Sequence, residues 1–136
     1  MATQIQALEQ AFQALADGTR LRILGLLLGG DVCVCNLHES LGMSQPKVSR
    51  HLAYLRRAGL VSARREGLWV HYRLADGIDP VVSTVLQAVT HALGHVDVVR
   101  RDTRALEKAT GCAIPPQPCN PSLGCCAPDS GPRPRA

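Results

Sequence analysis

The chain has 136 residues, of which 46% are hydrophobic and 19% charged, with a formal net charge of +4; this suits one globular domain and excludes a disordered chain. No apolar run approaches the ~18 residues of a membrane span, and the N-terminus lacks a basic region ahead of an apolar stretch. Neither a signal peptide nor a membrane contact is expected, so a cytoplasmic location with reduced thiols is expected for the six cysteines.

One Phe, one Trp and two Tyr leave a core of Leu, Val, Ala and Ile, the habit of small helical domains. Ile5, Leu8, Phe12 and Leu15 recur at helical steps and predict a first helix ending at "ADG". Thr19 is the expected cap of a second helix that stops at Gly29-Gly30. Asp31 is the expected cap of a short helix over 33–41. After the turn "LGMS", Ser44 caps a helix with Pro46 in its first turn and Gly59 just past its end. Two helices joined by a tight turn make a helix-turn-helix.

Beyond Gly59 the period changes. "LVSARREGLWVHYRL" predicts two short strands meeting near "EG", a basic hairpin placed as a wing. From Asp79-Pro80 one long helix is expected to about residue 108, with Val82, Val85, Leu86, Val89, Leu93 and Val96 on a stripe wider than a small domain needs internally. From Thr110 the chain holds seven prolines and reads as a Pro/Cys-rich flexible tail. The expected organisation is a domain over 1–108 and a tail over 109–136.

Charge is uneven. Lys47, Arg50, Arg56, Arg57, Arg64, Arg65 and Arg73 face only Glu66 within the same stretch, a local +6 in a chain whose total is +4. Such a block is the footprint of a nucleic-acid surface. The second helix of a helix-turn-helix lies in the major groove and turns its N-terminal residues to base edges, which here are Ser44, Gln45, Lys47, Val48, Ser49 and His51. Arg50, Arg56 and Arg57, with Arg64 and Arg65 in the wing, complete the expected double-stranded DNA contacts, chiefly to phosphate or the minor groove.

The stretch from "DVCVCNLHESLG" through "SQPKVSRHLAYLRRAGLV" resembles the ArsR/SmtB family of winged-helix metalloregulatory repressors, and in particular its arsenic-responsive members. The likeness spans about residues 5 to 105. It implies a mainly α winged helix-turn-helix with a small two-stranded β wing, a homodimer built through the first and last helices, and operator DNA released on inducer binding. "CVCNL" is similar to the family's metal-binding box, which implies Cys33 and Cys35 as thiolate ligands of As(III) or Sb(III).

Soft thiolates equally suit Cd(II), Pb(II) and Zn(II), so the ion stays open, as does a thiol redox sensor. At a helix N-terminus both thiols are expected to ionise readily, and their spacing on a regular helix predicts a distorted first turn if one ion is to bridge them. A third ligand is open between His38 and the tail cysteines Cys112, Cys119, Cys125 and Cys126. His91 and His95 share a helical face but read as solvated or interface residues. No Cys-x-x-Cys, phosphate loop or Ser/His/Asp set is present, so neither an enzyme nor a catalytic cofactor is expected.

Overall fold

The computed structural model describes residues 3–110. Helix α1, Gln4–Leu15, opens on a reciprocal cap: Thr3 Oγ1 accepts from the Gln6 N–H at 3.1 Å, and Gln6 Oε1 accepts from the Thr3 N–H at 2.9 Å. Helix α2, Gly18–Leu26, is capped by Asp17, whose carboxylate accepts from the Arg20 N–H at 3.0 Å, and not by Thr19. Asp17 is extended and three residues ahead of that orphan donor, whereas Thr19 already lies inside the first turn.

A 3-10 turn at Leu27–Gly29 leads into a two-residue strand β1, Val32–Cys33, which the sequence pattern did not anticipate. Helix α3, Val34–Leu41, therefore starts with Cys33 at the cap position, and Asp31 is no cap at all. Asp31 is buried against the wing instead. After Gly42, at φ 68°, helix α4 runs Gln45–Arg57 with Pro46 in the first turn; Ser44 holds the cap position without a side-chain capping bond. Its exit is a Schellman turn in which the Leu60 N–H reaches Leu55 O and the Gly59 N–H reaches Arg56 O, both at 3.0 Å, with Gly59 at φ 79°.

Strands β2, Val61–Glu66, and β3, Trp69–Leu74, form the wing hairpin, joined by Gly67 and Leu68. The sheet has three antiparallel strands in the order β1-β3-β2, one more than a two-stranded wing. Val32 pairs with Tyr72 and Cys33 with His71, so the wing is hydrogen-bonded to the segment that carries the thiols.

The expected long final helix is two helices. Helix α5, Pro80–Leu93, is capped by Asp79, and helix α6, Asp97–Thr110, follows a break at residues 94–96, where tight turns close on Ala92 O and Leu93 O. The break lets α6 fold back on α2 and α3, burying Val99, Asp102 and Leu106. Asp102 then receives two hydrogen bonds from Arg22, at 2.8 and 2.9 Å. Val99 packs so closely on Gly25 that a Cβ there would lie 2.5 Å from Val99 Cγ1.

The core is aliphatic, with Ile23, Leu24, Leu37, Val48, Leu52, Leu55 and Leu60 fully buried. On α1 the inward residues are Ala11, Ala14 and Leu15, whereas Ile5 is 74% and Phe12 56% exposed. The predicted stripe thus divides: Leu15 packs inward beside Ala11 and Ala14, while Ile5 and Phe12 point outward. Among the described residues no helix is long and apolar enough to cross a membrane. The expected tail lies outside the described residues from 111 onward.

Candidate nucleic-acid interface and thiol site

Helices α3 and α4 and the intervening turn form the helix-turn-helix, and burial sorts the expected contact residues. Val48 is fully buried and packs in the core with Leu52 and Leu55, so it has no face to offer a base edge. Ser44, Gln45, Lys47, Arg50, Arg56 and Arg57 are exposed, and Ser49 is half-buried beside Gln45, whose amide donates to its hydroxyl at 2.8 Å.

His51 turns inward to a polar hub. Its Nδ1 lies 3.4 Å from Arg20 Nη1 and 3.9 Å from Asp17 Oδ1. Arg20 also donates to Ala14 O at 2.6 Å and Gln13 O at 3.1 Å, satisfying the end of α1, and lies 4.1 Å over the Tyr54 ring. The Arg20 backbone N–H, aided by the Arg20 and His51 charges, holds the Asp17 carboxyl below its usual range. The hub fixes the pose of α4 on α1 and α2.

In the wing Arg64 is committed. It lies 2.9 Å from Asp31 Oδ2 and 3.2 Å from Glu66 Oε2, and the Asp31 bond raises its pKa further. Arg73 adds a 3.7 Å approach to Asp31 and a 2.8 Å bond to Asp76. Asp31 is a buried carboxylate that needs such partners. Arg65 is exposed and has no ion pair among the described residues.

The two sulfurs of Cys33 and Cys35 lie 2.8 Å apart. This needs no unwound helix: Cys33, at φ −68° and ψ 142°, is extended at the cap position, and only Cys35 is helical. The expected easy ionisation is not seen for Cys35. Its hydrogen bond with Cys33, then desolvation, pushes the Cys35 thiol far above its ordinary range. At this distance two anions would repel, which favours keeping the proton.

His38 sits in the last turn of α3, where its Nδ1 lies 3.2 Å from Met43 O. Among the described residues no three His, Cys, Asp or Glu side chains gather closely enough to hold a metal ion, so His38 is not grouped with the thiols. His91 and His95 meet edge-on at 5.4 Å between ring centroids and are exposed. Cys112, Cys119, Cys125 and Cys126 lie outside the described residues.

His71 was not singled out from the sequence. It pairs with Cys33 on one side of β3 and with Arg64 on the other, and its side chain is 12% exposed. Burial, then the Arg64 charge, lowers its pKa, which keeps the ring neutral. Its Nδ1 is buried with no hydrogen-bond partner among the described residues, a state that costs about 1–3 kcal/mol. Only strand register could have revealed it.

The fold is that of a winged helix-turn-helix protein, and the thiol pair stands where its helix-turn-helix begins. Residues 17–63 match the family model described as bacterial regulatory protein, arsR family. The chain belongs to that family.

It is 48% identical over 82 residues to the arsenic resistance transcriptional regulator ArsR1 of Pseudomonas putida, covering 60% of this chain and 64% of that one. It is 56% identical over 70 residues to the arsenical resistance operon repressor of Escherichia coli, covering 51% and 60%. The chain thus spans under two thirds of these relatives' length. Among solved structures, the homodimeric winged helix-turn-helix DNA-binding domain of a possible ArsR-family regulator from Mycobacterium bovis matches with a TM-score of 0.57 and 32% identity, over 70% of this chain and 92% of that one.

Proposed function

We propose that the chain is a homodimeric transcriptional repressor of an arsenic-resistance operon, released from operator DNA when As(III) or Sb(III) binds Cys33 and Cys35. The observation that carries this reading is the 2.8 Å approach of the two sulfurs at the start of the helix-turn-helix. Neutral thiols suffice for the chemistry. Arsenous acid condenses with two of them, two As–S bonds replacing two As–O bonds while each thiol proton leaves in a water molecule.

Ser44, Gln45, Lys47 and Ser49 face the bases in this reading, and Arg50, Arg56, Arg57 and Arg65 the phosphates. Ile5 and Phe12 on α1, with Val81 on α5, supply the exposed apolar surface that a second copy covers. Cys33 belongs to β1 and Cys35 to α3, so an ion held by both is linked to the wing strand and to the helix-turn-helix together. A coupling of about 1–3 kcal/mol weakens operator affinity about 5- to 150-fold.

The test is operator release measured across As(III), Sb(III), Cd(II), Pb(II) and Zn(II), under reducing conditions, with the full chain and its C33S and C35S variants. Arsenite and antimonite are expected to release the full chain and neither variant. Release of either variant by arsenite, or release of the full chain by a divalent ion only, overturns the assignment.

A further inference from the structure

Two cysteines leave one position of trivalent arsenic unfilled by sulfur. His38 is engaged with the Met43 carbonyl at the far end of α3. What faces Cys33 is the wing. Cys33 and His71 are directly paired across β1 and β3, and opposed residues on antiparallel strands project on the same face with Cβ atoms about 4.5–5.5 Å apart.

The imidazole is suited to accept a hydrogen bond there. Nε2 lies 3.6 Å from Glu66 Oε1, which favours the ring hydrogen on that nitrogen and leaves a lone pair on Nδ1. That Nδ1 is buried and finds no donor among the described residues.

We propose that His71 reads the third position of the bound ion: when Cys33 and Cys35 hold arsenite, the remaining As–OH donates a hydrogen bond to His71 Nδ1. The inference rests on the thiol-sensing reading above and adds the group it selects. Arsenous acid and two thiols give a dithiolate with one As–OH, two water molecules leaving and arsenic staying trivalent. Methylarsenous acid, by the same step, ends with a methyl group in that position and no hydrogen to donate. His71 therefore favours inorganic arsenite over its methylated form. It also carries the ligand's third contact to the strand that bears the wing.

The experiment measures binding of arsenite and of methylarsenite to the full chain by titration calorimetry in thiol-free reducing buffer. H71F and H71L remove the acceptor, and H71N returns one, because its Oδ1 takes the place of Nδ1. Operator affinity without ligand checks the fold of each variant, so a collapsed H71F leaves H71L and H71N to decide. H71F and H71L are expected to bind arsenite about tenfold more weakly, with methylarsenite changed less than about twofold and H71N near the parent. X-ray absorption at arsenic is expected to show two sulfurs and one oxygen.

Equal weakening for both arsenicals marks a merely structural role and overturns the proposal, as does an H71N loss as large as that of H71F. Three sulfurs around arsenic, or arsenite affinity indifferent to His71 while still needing both cysteines, overturns it too. Arsenite binding unchanged in C33S/C35S overturns the underlying thiol reading instead.

Discussion

At the residue scale, His71 is a neutral imidazole in a charged neighbourhood. Arg64 opposes its protonation, while Glu66 and Asp31 favour it; burial outweighs both, and Cys33 faces it across the strand pair. Its folded-state pKa lies below the ordinary value of 6.5, so the unfolded chain takes up a proton there before the folded one does. This group's contribution to stability is therefore full above about pH 6.5 and is lost as the pH falls below it. Without bound ion, the melting temperature is expected to drop between pH 7 and pH 5, and to drop less in H71N. Thermal melts across that range check it; identical slopes for the two proteins would show that His71 is not the group responsible.

At the scale of elements, α6 depends on one missing side chain. Gly25 is fully packed beneath Val99, and a methyl group at 2.5 Å from Val99 Cγ1 cannot be accommodated without moving the helix or the rotamer. G25A is expected to cost about 1–3 kcal/mol in denaturant unfolding, despite the better helix propensity of alanine. V99A alone leaves a small void, yet added to G25A it removes the clash, so the double variant should be more stable than G25A. Additive losses would place the strain elsewhere.

This element shows why the ending of the fold was not legible. A single glycine between two apolar-periodic stretches reads as a tolerated interruption, and the turn at residues 94–96 is set by where α6 packs. The helix-turn-helix and hairpin were legible because Pro46, Gly59 and Gly67 mark their ends and the apolar period changes between them. Strand β1, at two residues, is too short to show any period. Cys33 and Cys35 stood out as a motif, but their approach depends on the extended backbone of Cys33, and the His71 pairing on register. Asp31 looked like a helix cap because aspartate usually is one; only the tertiary contact with Arg64 shows otherwise.

Across the whole molecule, the local charge of +6 is not all available to DNA. Arg64 and Arg73 are neutralised by Asp31, Glu66 and Asp76, whereas Lys47, Arg50, Arg56, Arg57 and Arg65 are exposed and have no ion pair among the described residues. Counterion release counts only the cations that reach phosphate, about 0.9 in the logarithmic salt slope for each. R65A is therefore expected to flatten the slope of operator affinity against salt by about 1 per protomer and to weaken binding uniformly across related sequences. R64A should leave that slope within about 0.3, because its charge already faces two carboxylates, while lowering thermal stability by uncovering Asp31. Operator titrations at several salt concentrations read both variants. A slope loss for R64A equal to that for R65A would mean that DNA draws Arg64 away from Asp31, and the Asp31 carboxylate and the DNA would then compete for the same guanidinium.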